Sequence, residues 1–184
     1  KMQSPLNNIS SSCQVCHREE AATLMANVYE RQDKIIENRV KLEEILVRAH
    51  VEAKKAWDLG ANENEMKEIL KGIRHAQWRW DYAAAGHGNS FHSPVETGRV
   101  ISTGIAIAQE TRIKLARLLA SKGFNQEVTY PDLSTKAKAQ EFIGLDMKKL
   151  NKDKQDFLKN IVPQWINTAK DREATYDKVF YNKE

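Results

Sequence analysis

Glycine, proline and cysteine are all scarce in this chain, with 8, 4 and 2 occurrences in 184 residues. The few glycines and prolines punctuate the sequence without forming a low-complexity tract, and no tandem repeat is present. Two cysteines leave no disulfide framework and no surplus thiol to mispair. No apolar run approaches the ~18 residues a membrane-spanning helix needs, and the mean hydropathy is −0.64. Nor is there a charge excess to exploit. Twenty-nine basic and 25 acidic residues are interleaved to a net +4, the pattern of a solvated helical surface and not of a nucleic-acid stripe. A signal peptide is also absent. The chain opens Lys-Met-Gln-Ser-Pro-Leu, so a fragment or a processed product is expected.

What remains is a strong helical signal, and the expected fold class is mostly α, with long helices in a bundle or coiled-coil-like array. Between Pro5 and Gly60 neither glycine nor proline occurs, and Ala21, Val28, Ile35, Leu42, Ala49 and Ala56 recur every seventh residue. This predicts a helix over 19–59, roughly 60 Å long, packed on other long helices, with a second subunit among the candidates. Gly60 suits its C-terminal stop. Asn62 or Asn64 can cap a second helix towards Ala85, and Gly86-His87-Gly88-Asn89 breaks it. Ser93, Pro94 and Glu96 have the form of an N-cap, a first-turn proline and a capping box for a third helix ending at Gly123. Residues 124–133 read as extended or irregular. Ser134 can cap a short helix ending at Gly144, and a last helix over 148–170 is kinked or divided at Pro163. Three regions follow: 1–18 around the cysteines, a long-helix scaffold over 19–123, and a helical region over 124–184.

Cys13-Gln-Val-Cys16-His17 is the motif that carries chemistry. Covalent haem needs two thiols for its two vinyl groups and an imidazole directly after the second thiol, and Cys-x-x-Cys-His supplies both. A thioredoxin-like dithiol expects a βαβ context that is missing. A zinc site could draw on His87 and His92, although some seventy residues separate the two halves. Spacing favours haem, which places the chain outside the cytoplasm, where such attachment takes place. Its iron would take a sixth ligand from among His50, His75, His87, His92 or a methionine. His92 stands out because it lies in a glycine-rich turn just before a helix start.

Cys13–His17, Arg74-His-Ala-Gln-Trp-Arg-Trp-Asp81, and His87-Gly with His92-x-Pro94-x-Glu96 together resemble the pentahaem cytochrome c nitrite reductase family. Further pieces, Lys114–Ala120, Ser134–Lys136, Asp156-Phe157 and Pro163-Gln-Trp165, extend the resemblance over essentially the whole chain. It implies that Cys13, Cys16 and His17 attach and ligate the last haem of a series. It implies that His92 is the distal ligand of a neighbouring haem attached before this chain begins. The implied protein is the C-terminal electron-transfer and dimerisation portion of a periplasmic enzyme reducing nitrite to ammonium. Its catalytic haem and calcium site would lie in the upstream part, leaving no catalytic residue here and an inactive fragment. Implied partners are that upstream part, a second copy meeting through long helices, and an electron-donor cytochrome or quinol dehydrogenase, with no nucleic acid. Two alternatives stand beside it: a haem-free helical structural module, and part of a related multihaem enzyme of hydroxylamine or another nitrogen oxide.

Overall fold

The computed structural model describes residues 4–180, and these are mostly α-helical with no strand among them. The chain divides into two compact units between Tyr130 and Pro131. The first begins with two 3-10 turns, Pro5–Ser11 and Cys13–Val15. It continues through α1 (Ala21–Asp58), α2 (Glu63–Ala85), the single turn α3 (Asn89–His92) and α4 (Pro94–Ser121). Gly60 ends α1 at φ +81°, a conformation open to glycine because it has no Cβ. Asn62 then opens α2 with a capping box. Its side chain accepts from the Glu65 amide at 3.1 Å, and the Glu65 carboxylate accepts from the Asn62 amide at 2.8 Å.

α4 lies along both α1 and α2. One core cluster joins Ala49, Ala53 and Ala56 of α1 to Met66, Ile69 and Ile73 of α2 and Leu115 and Leu119 of α4. A second joins Ile35, Leu42 and Leu46 to Ala76 and Ala83 and to Ile101 and Ala108. α2 therefore runs against α1 and α4, which share a direction. The heptad positions from Val28 to Ala56 are buried as their spacing requires. From Ile35 onward these positions pack on α2 and α4 of the same chain.

Two glycines set how closely the helices approach. A Cβ at Gly72 of α2 would lie 2.1 Å from Oγ1 of Thr111 on α4, and one at Gly104 of α4 would lie 2.8 Å from Leu42 of α1. At the start of α4, Pro94 takes the first turn as expected, but the capping box does not form. Glu96 turns to Arg99, accepting at 2.7 and 2.5 Å, a two-point charged contact that outcompetes a lone amide. Thr97 serves the turn instead, its hydroxyl lying 2.9 Å from the Ser93 carbonyl and 3.2 Å from that of Asn89.

A buried polar group ties the irregular 124–130 segment to the bundle. Arg112 of α4 donates to Glu52 of α1 at 2.6 and 2.9 Å, and the Tyr130 hydroxyl donates to Glu52 at 2.5 Å. The Arg48 guanidinium covers the Tyr130 ring at 5.3 Å. Glu52 is only 6% exposed, so this carboxylate depends on both partners.

The second unit contains α5 (Lys136–Phe142), α6 (Met147–Asn160) and α7 (Val162–Phe180). Thr135, and not Ser134, caps α5, accepting from the Lys138 amide at 3.3 Å. The Ser134 hydroxyl is engaged elsewhere, accepting from the Lys138 ammonium at 3.3 Å, while its amide donates to Asp132 at 2.9 Å. Lys138 and Ser134 together hold the Asp132 carboxyl down at about 2. The helix expected over 148–170 is divided at Ile161, beside Pro163 as its sequence predicts, because proline has no N–H to return to the preceding turn. Phe157 meets Trp165 edge-on across the break, with ring centres 5.2 Å apart. No residue of this unit between 131 and 176 is buried.

Gly72→Ala is expected to cost about 1–3 kcal/mol by overpacking against Thr111. Gly98→Ala, where a Cβ meets nothing within 4 Å, should gain about 0.5–1 kcal/mol. Urea unfolding of the two variants checks the contrast. Glu52→Ala strands Arg112 and should cost about 3 kcal/mol in the same measurement. Burial, then the hydrogen bond and charge of Glu52, raise the Tyr130 phenol above its ordinary value. A raised pKa leaves stability intact below pH about 10 and removes it as pH climbs through the raised value. Tyr130→Phe should therefore abolish that alkaline loss in a pH-denaturation series.

Candidate functional site

The cysteine motif folds as one tight turn. The Cys13 carbonyl accepts from the Cys16 amide at 3.2 Å and from the His17 amide at 2.9 Å. Upstream, the Ser12 hydroxyl lies 2.9 Å from the Pro5 carbonyl and 2.7 Å from that of Asn8. Downstream, Gln14 donates through Nε2 to the Glu19 carbonyl at 3.0 Å. The turn is thus braced on both sides by local bonds. Both cysteines are free thiols, Cys13 half-buried and Cys16 exposed. The Glu19 carboxylate stands 3.6 Å from Nδ1 of His17, which leaves Nε2 as the nitrogen open to a metal.

This turn forms one wall of a cavity of about 440 Å³. Leu24, Val28 and Arg31 of α1 form another wall, and Phe91 and His92 of α3 the third. Both thiols and both of the sequence-selected histidines, 17 and 92, therefore face one space, although 75 residues separate the histidines. The α3 turn is held there from two sides. Arg31 donates to the Phe91 carbonyl at 2.9 Å, and Thr97 of α4 reaches the Asn89 carbonyl. The Phe91 and His92 rings lie 4.5 Å apart at 51°.

The donor set fits a covalently attached haem. Two thiols and the following imidazole share one turn, apolar side chains line the adjoining wall, and a second imidazole faces the same cavity. The zinc reading is not assembled. Among the described residues no three His, Cys, Asp or Glu side chains converge as metal ligands, and His87 is exposed and absent from the cavity wall. His50 and His75 are likewise exposed and line no part of it. The tryptophans of 78–80 divide. Trp80 packs on the core and donates to Glu43 at 3.1 Å, while Trp78 is exposed and stacks on Tyr82.

Sequence reasoning missed Arg31 and Phe91. Leu24, Val28 and Arg31 follow helical spacing, so their common face was readable. Nothing local indicates that this face meets α3 while the seam further along α1 meets α2 and α4.

Residues 1–176 match the cytochrome c552 family. A cytochrome c-552 of Porphyromonas gingivalis is 53% identical over 167 residues, covering 91% of this chain and 34% of that protein. The cytochromes c-552 of Bacteroides thetaiotaomicron and Parabacteroides distasonis are each 52% identical over 92% of this chain and 34% of their own length. The chain spans about a third of the length of the curated relatives it matches. These matches correct the expected family and function. The pentahaem nitrite reductase assignment gives way to cytochrome c552, and the support extends to haem, iron and electron transport, with no nitrite-reducing role attached. No helix among the described residues is long and apolar enough to cross a membrane. The chain belongs to the cytochrome c552 family, whose prosthetic group is haem c.

Proposed function

We propose that this chain supplies an electron-relay haem site on a helical scaffold, within an extracytoplasmic or periplasmic c-type cytochrome. The observation that carries the reading is the convergence of Cys13, Cys16, His17 and His92 on one cavity. Cys13 and Cys16 would anchor a haem through their sulfurs, and His17 would hold its iron through Nε2. Glu19 fixes the His17 ring from the Nδ1 side. Leu24, Val28 and Phe91 keep water from the face they cover, which tunes a bound group's potential. Haem bound here supplies a one-electron couple. Its electrons come from another electron carrier, and any catalytic step lies outside these 184 residues.

His92 is an axial ligand in this reading, assigned to a neighbouring haem brought against the cavity. A second reading, that it closes the same iron as His17, is favoured by their shared cavity. Self-association is part of the proposal too. With the heptad positions packed inside the chain, the outward stripe of Tyr29, Ile36 and Val40 on α1 is the surface proposed for a second copy, each residue being 42–49% exposed.

Full-length protein matured with a c-type attachment system should give a thioether-type pyridine haemochrome, and Cys13→Ser with Cys16→Ser should remove one haem equivalent. Loss of no haem would contradict the attachment site. His92→Ala should turn one low-spin haem high-spin. A haem other than the one lost with the cysteines supports the neighbouring-haem assignment, and the same haem supports the shared iron. Light scattering at micromolar concentration should give a dimer that Ile36→Glu weakens. A strictly monomeric mass would contradict the association.

A further inference from the structure

α3 is a single turn of four residues, 89–92, set between the break at 86–88 and Pro94. One turn cannot sustain itself, because fixing its backbone costs more than its few hydrogen bonds return. Its internal support is the His92 amide on the Gly88 carbonyl at 3.1 Å and the Ser93 amide on that of Asn89 at 3.0 Å. Two side chains reach it from outside. Thr97 holds the first residue of the turn, and Arg31 holds the Phe91 carbonyl at 2.9 Å.

The second contact has a particular consequence. The Phe91 carbonyl and the His92 amide belong to one planar peptide unit, so anchoring the oxygen orients the plane that carries His92. The anchor comes from α1, the helix that also supplies Leu24 and Val28 to the same cavity. Arg31 therefore couples the direction of the His92 imidazole to the wall opposite it. The Phe91 ring, beside the imidazole, is carried by the same clamped residue.

We propose that Arg31 is a positioning residue for His92: its hydrogen bond to the Phe91 carbonyl holds the imidazole in the orientation required for iron ligation. This rests on His92 being an axial ligand, and it holds whichever of the two irons His92 serves. Arg31 itself ligates nothing. It acts through one backbone carbonyl, and a lysine at this position keeps a donor for that carbonyl while losing the planar fork.

The test uses full-length, haem-loaded protein and carbon monoxide as the probe. A six-coordinate haem admits carbon monoxide only when an axial ligand leaves, so its binding rate after reduction reports how firmly the imidazole is held. His92→Ala should open that haem outright. Arg31→Ala and Arg31→Gln should each raise the binding rate at the same haem by about two- to tenfold, the effect of one hydrogen bond. Arg31→Lys should restore a rate near that of the parent. Haem content and the thermal midpoint should stay constant across the Arg31 series, which separates positioning from general destabilisation. If His92→Ala opens a haem while Arg31→Ala and Arg31→Gln leave its kinetics at the parental rate, the positioning role is overturned and the ligand assignment survives. If His92→Ala opens no haem, the ligand assignment itself fails.

Discussion

The close approach of α4 to its two neighbours is the constraint on which the rest of the first unit depends. Gly72 lets Thr111 sit against α2, and Gly104 lets Leu42 reach α4. Methyl groups at these positions would overlap the Thr111 and Leu42 side chains and overpack the interface. The two contacts together define the height and rotation of α4. That register decides where the short connection before it can lie. With α4 seated, the turn at 89–92 falls beside the first third of α1, within reach of Arg31. The same register brings Arg112 to Glu52 and allows Tyr130 to close over the pair. Both ends of the bundle therefore take their polar contacts from one packing decision at its middle.

The helices were legible because their signals are local. A heptad without glycine or proline, a glycine stop at 60 and an asparagine cap at 62 each act within a few residues, and all three hold. The failures lie where two local partners compete. Glu96 satisfies a capping pattern, yet Arg99 three residues on offers a two-point charged contact and takes the carboxylate. Ser134 loses its capping role to Thr135, its hydroxyl accepting instead from the Lys138 ammonium. The heptad raises a different difficulty. Periodicity shows that a face is buried, and it is silent on whether the covering helix belongs to the same chain.

The site was legible in the same uneven way. Cys13, Cys16 and His17 carry their chemistry in their spacing, so no tertiary information was needed to select them. His92 was selected from its turn and from resemblance, and the fold places it on the cavity the cysteines border. Arg31, Phe91 and Thr97 could not be found this way, since their roles depend on which backbone carbonyls the bundle carries past them. Family membership was misread for another reason. Motifs shared among multihaem cytochromes describe how haem is attached, and they do not state what the haem is used for. Cytochrome c552 membership carries electron transport, and the chain's single attachment motif and helical scaffold accord with that.

The central claim is that the turn at 13–17 attaches haem covalently and faces the cavity closed by α3. The most direct measurement is peptide mass spectrometry on protein matured by a c-type attachment system. The peptide containing Cys13-Gln-Val-Cys16-His17 should carry one haem through both sulfurs, and Cys13→Ser with Cys16→Ser should leave that peptide unmodified. Recovery of the parent peptide with two free thiols, from protein matured in this way, would contradict the account.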